Sequence, residues 1–109
     1  MARALSRGDV WMYRFKRADK RRPVVVLSRQ DVIPLLDTVM VAPVASTRRG
    51  APSEVLIGIA EGLKHDSAVN LDHVQTVEQS RLIARLGSLN TEQMRRVCRA
   101  LAIATGCSD

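Results

Sequence analysis

The stretch Pro23-Val24-Val25-Val26-Leu27 constrains the fold more than any other part of the chain. It is short, continuous and β-branched, with no residue to turn toward water. Such a run reads as a strand buried on both faces. Lys20, Arg21 and Arg22 lead directly into it, and Ser28, Arg29 and Gln30 follow. A strand that must be buried is therefore bracketed by charge. Either the charges mark where the strand leaves the core, or the strand is there to aim them.

Further short strands surround this one. Gly8 to Phe15 places Trp11, Tyr13 and Phe15, the only aromatic residues, at alternate positions on one face. They could stack on bases, and the stronger reading puts them in the core, since large aromatics dominate small cores. Lys16 to Arg22 reads as a hairpin loop. Gln30 to Leu36 reads as a loop with one helical turn, because Pro34 interrupts it. Thr38 to Ser46 and Glu54 to Ile59 read as strands, joined by the turn-rich Thr47 to Ser53. After a loop at Ala60 to Asp66, Ser67 to Val77 holds one bent strand or two short ones, and Ile83 to Leu89 another. The last segment is helical. Asn90 and Gln93 are spaced for a capping box, and Gly106 is a natural stop. Met94, Val97, Cys98, Leu101 and Thr105 share one face, which places Cys98 in the core. Short strands followed by one amphipathic helix imply an α+β, mostly β fold. A small bent sheet or barrel with a C-terminal helix packed on it fits that pattern.

With 109 residues, the chain is expected to form a single domain over 1–109. No apolar run approaches the roughly 20 residues that span a bilayer, and the N-terminus lacks the apolar core of a secretory signal. A cytoplasmic protein with no membrane partner is the expectation. Cys98 and Cys107 fit a reducing compartment, and neither has a second Cys or a His at metal-ligand spacing. The net charge of +6 is uneven. Residues 1–50 hold eleven Lys and Arg against four acids, whereas residues 51–109 hold six against seven. The excess is densest over Arg14, Lys16, Arg17, Lys20, Arg21 and Arg22. Such a field attracts polyanions, nucleic acid foremost, although a solubilising loop would look the same.

The motifs of nucleotide-binding loops, zinc proteases and serine hydrolases are absent. His65 and His73 are the only histidines. His65 reads as a solvated loop residue. His73 lies beside Asp72 in an expected strand, either as a surface pair or as part of a site. This inventory of Arg, Ser, Thr, Asp and His suits metal-free RNA cleavage, with no cofactor. RNA supplies its own nucleophile, the 2′-hydroxyl. The protein must hold it in line, stabilise charge on phosphorus-bound oxygens and move two protons. Arg suits the charge task because its planar fork matches phosphate. It is a poor base.

The ordered set Arg7 to Trp11, Arg21 to Ser28, Val41 to Thr47, Pro52 to Val55 and Asp66 to Leu89, ending in a helix, resembles the MazF/PemK toxin family. The likeness covers nearly the whole chain, and Arg-Pro before a Val-rich strand ending in Ser is its most specific piece. The resemblance implies a small SH3-like (CcdB/MazF-type) barrel with a C-terminal helix, usually a homodimer. It implies an mRNA-cleaving endoribonuclease that needs no metal. Such an enzyme cuts single-stranded RNA at a short sequence and leaves a 2′,3′-cyclic phosphate. It also implies a MazE-like antitoxin that lays an acidic segment over the RNA site. The family's catalytic arginine falls on Arg22. The matching segments hold or adjoin the candidate RNA-binding residues Arg21, Ser28, Arg29, Thr47, Arg48, Asp72 and His73.

Two positions depart from the family. A Thr is general two residues after the proline of "VAPVAST", where this chain has Ala45. The hydroxyls move to Ser46 and Thr47, and Ser46 becomes the candidate catalytic hydroxyl. The loop between the first two strands is also short. Two other functions stay open at this point. One is a nucleic-acid binding protein that has lost cleavage, on the ground of Ala45. The other is a gyrase poison of the related CcdB class, against which stands the absence of a Trp near the C-terminus.

Overall fold

A computed structural model describes residues 4–16 and 20–107. Residues 17–19, in the middle of the expected hairpin loop, lie outside the described residues, and Arg17 of the basic cluster lies with them. Seven strands precede one helix: β1 (Asp9–Arg14), β2 (Arg21–Val26), β3 (Thr38–Ala45), β4 (Glu54–Ile57), β5 (Ser67–Asn70), β6 (Gln75–Glu78), β7 (Leu82–Ser88) and α1 (Thr91–Ala104). The hydrogen-bonded path runs β4-β5-β3-β2-β1-β7, with β6 paired to β3. Every pairing is antiparallel. β3 is the hinge of the sheet. Its first half, Thr38 to Val41, pairs with β6, and its end, Val44 and Ala45, pairs with β5. The sheet bends there, and its path stays open between β4 and β7.

The valine run behaves as its sequence requires. Val24, Val25 and Val26 have no exposed surface. Alternation sends them to different cores. Val25 and Leu27 join a cluster with Val10, Ala42, Val44, Leu71, Val97 and Ala100, which α1 closes. Val24 and Val26 join a second cluster with Leu5, Tyr13, Val39, Val41, Val77 and Leu82. Trp11 and Phe15 pack half-buried against this second cluster, and Tyr13 meets Phe15 edge-on with ring centroids 4.7 Å apart. The aromatic set therefore faces the core.

Asp9 is buried at the start of β1. Its carboxylate accepts from the Ser6 amide (3.0 Å) and the Trp11 indole (3.2 Å), and Arg85 of β7 lies 3.3 Å away. These partners compensate a charge that would otherwise be costly to bury. The Asn90 side chain accepts from the Gln93 amide and Gln93 returns the bond, both at 2.8 Å, completing the expected capping box.

Two expectations are corrected. The buried stripe of α1 runs through Met94, Val97, Ala100, Leu101 and Ala104, not through Cys98 and Thr105. The helix is rotated by about 50°, half the angular step of one residue, from the expected seating. Cys98 is exposed, and its sulfur accepts from Arg7 Nη2 at 3.1 Å. His73 lies not in a strand but in the 3₁₀ turn Leu71–His73 that separates β5 from β6. The Asn70 side chain caps that turn by accepting from the Asp72 amide.

Candidate active site

β2 begins at Arg21, two residues before the proline, so both arginines belong to the strand. Arg22 pairs across with Tyr13 of β1. On its other side, β2 pairs Val24 with Pro43 and Val25 with Ala42 of β3. That register, continued by two residues, sets Arg22 opposite Ala45. Directly opposite residues of an antiparallel pair share a face. Arg22 and Ala45, the position where the family carries a threonine, border one cavity, and Ala45 offers it only a methyl group. β3 ends at Ala45, so Ser46 follows where the strand has stopped.

Arg22, Ala45 and Ser46 border one cavity of about 400 Å³. Met12, Pro23, Val44, Leu63 and Leu86 form its apolar lining, and Lys64, His65 and Ser67 complete the polar part. The charged residues among these are cations, and among the described residues no carboxylate lines the cavity. Among the described residues no three His, Cys, Asp or Glu side chains are grouped to hold a metal. Arg22 is exposed, so its guanidinium is open to a ligand at the mouth of a partly apolar recess. This arrangement can hold a phosphate by charge and fork geometry while an apolar wall receives a base or sugar.

The loop that supplies Lys64 and His65 is fixed by two glycines. Gly62 has φ +96°, and a Cβ there would lie 2.1 Å from the Leu86 carbonyl oxygen. A Cβ on Gly87 would lie 2.3 Å from the Glu61 carbonyl oxygen. The loop and β7 thus touch backbone to backbone, which only glycine permits. His65 Nδ1 lies 3.2 Å from the Asp66 carbonyl oxygen and 3.5 Å from Ser67 Oγ, which donates to the His65 carbonyl at 3.1 Å.

Arg21 and Thr47 adjoin Arg22 and Ser46 and are exposed. Arg48 borders a different recess, with Leu56, Ile59 and Asp66. Its loop is held by Glu54, whose Oε1 accepts from the amides of Arg49 (3.0 Å), Gly50 (2.9 Å) and Ala51 (3.3 Å). Ser28 and Arg29 lie just beyond the far end of β2, six and seven residues from Arg22, roughly 20 Å at the rise of a strand. Ser28 Oγ accepts from the Met40 amide, and Arg29 pairs with Asp31. Asp72 accepts a 2.5 Å bond from Ser53 Oγ. Ser28, Arg29, Asp72 and His73 are absent from the cavity lining. Sequence patterns alone do not point to Lys64, His65 and Ser67. The available signal is the pair Gly62 and Gly87, which flank close backbone approaches.

The chain matches the model of the PemK-like, MazF-like toxins of type II toxin-antitoxin systems over residues 6–105. It is 44% identical over 104 residues to a protein of Mycobacterium tuberculosis named probable endoribonuclease MazF5, covering 94% of each chain. It is 37% identical over 86 residues to endoribonuclease MazF3 of the same species, covering 79% of this chain and 84% of the relative. In structure it is similar to the Mycobacterium tuberculosis toxin MazF-mt6, with a TM-score of 0.83 and 33% identity over 90% of this chain and 96% of that one. It is also similar to an endoribonuclease in complex with its cognate antitoxin from a mycobacterial species, with a TM-score of 0.85 and 25% identity over 97% and 99% of the two chains. The antiparallel mostly-β sheet with its C-terminal helix is that of these toxins, and the chain belongs to the PemK-like, MazF-like toxin family of type II toxin-antitoxin systems.

Proposed function

We propose that this chain is the endoribonuclease toxin of a type II toxin-antitoxin pair, a single-domain protein acting on single-stranded RNA in the cytoplasm. Arg22 stabilises negative charge on the phosphorus-bound oxygens as the RNA's own 2′-hydroxyl attacks. The products are a 2′,3′-cyclic phosphate and a 5′-hydroxyl. Ser46 supplies the hydroxyl contact that Ala45 lacks. The chemistry needs no metal, because the arginine fork and the RNA's own hydroxyl cover the two roles a metal would take. The observation that carries the reading is the meeting of Arg22 from β2 and Ser46 from just beyond β3 at one cavity whose charged lining residues are cations.

The relatives named endoribonuclease support this substrate class. The toxin structure solved with its cognate antitoxin supports a MazE-like partner, whose acidic segment would cover the exposed Arg14, Lys20, Arg21 and Arg22. A homodimer with the RNA groove near its two-fold axis completes the proposal. No helix among the described residues is long and apolar enough to cross a membrane.

The test is incubation of the purified protein with a long RNA in EDTA. New 5′-hydroxyl ends at a recurring short sequence support the reading. The register of Ala45 against Arg22 favours a second reading, RNA binding without cleavage, which intact RNA and a retarded complex would establish.

A further inference from the structure

Cleavage by 2′-hydroxyl attack requires a group that accepts a proton at neutral pH. Of the described residues around the cavity, only Arg22, Lys64 and His65 carry basic side chains. Arginine and lysine are poor acceptors, because both side chains hold their protons far above neutrality. Serine hydroxyls need a base of their own. An imidazole is the side chain suited to the task, and the cavity has one. His65 was expected to be a solvated loop residue. It is exposed in its loop as expected, and the glycine contact between that loop and β7 also places it at the cavity that Arg22 and Ser46 border.

The orientation of the ring protons supports the same role. Nδ1 faces the Asp66 carbonyl oxygen at 3.2 Å, which can only accept. Its other neighbour, Ser67 Oγ at 3.5 Å, already gives its hydrogen to the His65 carbonyl. Both surroundings call for a proton on Nδ1. The neutral ring then carries its lone pair on Nε2. A backbone carbonyl that fixes the proton on one nitrogen leaves the other as the base.

We propose that His65 is the general base of RNA cleavage in this protein, taking the 2′-hydroxyl proton on Nε2. The proposal rests on the endoribonuclease reading above. As the proton leaves, the 2′-oxygen bonds to phosphorus and the bond from phosphorus to the 5′-oxygen breaks. The departing 5′-oxygen takes a proton from solvent water, and the imidazolium returns its own to solvent. Arg22 offsets charge on the non-bridging oxygens throughout. Among the described residues, the charged groups around His65 are Arg22 from β2 and Lys64 and Asp66 from its own loop. β1, β5 and β7 present Met12, Ser67 and Leu86, and the segment just after β3 presents Ser46.

The test compares the parent with His65→Gln and His65→Ala on a short RNA containing one cut site. Affinity is measured in parallel on the same oligonucleotide with a 2′-deoxy nucleotide at the cut. General-base catalysis is worth about 100- to 10,000-fold, so both variants should lose at least about 100-fold in single-turnover rate. Their affinity for the deoxy oligonucleotide should stay within a few-fold of the parent. The pH profile of the parent's rate should contain a limb that His65→Gln lacks. Added imidazole should restore part of the rate of His65→Ala. A parent that cleaves alongside a His65→Gln with equal rate and the same pH profile overturns the proposal alone. A parent that leaves the RNA intact overturns the endoribonuclease reading, and the base assignment falls with it.

Discussion

Gly62 and Gly87 face each other across a contact that leaves no room for a side chain on either. The first closes the turn that precedes Lys64 and His65, and the second lies in β7. Alanine at Gly62 meets both a backbone oxygen and an unfavourable φ, and alanine at Gly87 meets a backbone oxygen alone. Each substitution should cost about 2–4 kcal/mol, read by urea denaturation. The costs should not add, because the first substitution already parts the two segments. A double variant whose destabilisation equals the sum of the singles would show that the contact does not hold the loop.

Arg22→Ala should lower the cleavage rate about 100- to 1,000-fold while leaving the denaturation midpoint near that of the parent. The side chain is exposed at a strand start. Arg22→Lys should rescue little, since an ammonium lacks the planar fork. Full activity in Arg22→Ala would end the assignment of this cavity as the cleavage site.

Ala45→Thr should raise the cleavage rate several-fold. Position 45 borders the same cavity as Arg22, and Ala45 is half-exposed, so the larger side chain has room. Ser46→Ala should lower the parent's rate, and should matter less once Thr occupies position 45. Equal reduction in both backgrounds, measured by single-turnover kinetics, would mean that the two hydroxyls have separate roles.

How much of this was legible in the sequence depended on how local the physics is. The valine run, the capping box of α1 and the alternation of the aromatics are set within a few residues, and each takes the form expected of it. The seating of α1 was misjudged because Cys98 and Ala100 are both small and tolerable in a core. Only the docked helix decides between them, and it buries Ala100. The site was half legible. Arg22 and Ser46 were within reach of pattern and family likeness. His65 was not, because it arrives through a contact between residues 62 and 87 that no short window contains. Ser28 and Arg29 were grouped with Arg22 by adjacency, yet a strand carries its two ends apart.

Asp9→Ala should destabilise the fold by about 2–4 kcal/mol. The aspartate is 3% exposed and serves an amide, an indole and a guanidinium, so its removal leaves three donors without their acceptor. Trp11 fluorescence should shift as its indole partner is removed. An unchanged urea midpoint would show that solvent replaces the carboxylate at no cost.

Affinity for RNA and for an acidic antitoxin segment should fall as salt rises. For single strands the log–log slope changes by roughly 0.7 for every phosphate that is no longer neutralised by a side chain. Arg21→Ala and Arg48→Ala, both exposed, should each flatten the slope by about that amount if each side chain neutralises one phosphate. Slopes equal to the parent's in both variants would remove these residues from the interface.

Because Val24 and Val26 belong to one hydrophobic cluster and Val25 to the other, neither cluster can come apart without stripping cover from the same strand. The two halves of the sheet are thereby bound into one cooperative unit. The amides of β2 should exchange with solvent deuterium only through opening of the whole molecule, while Leu35 and Ile59, on exposed turns, exchange through local fluctuations. The strand that begins with Arg21 and Arg22 is then the last to lose its shape. The guanidinium that Arg22 carries keeps its bearing for as long as the protein is folded.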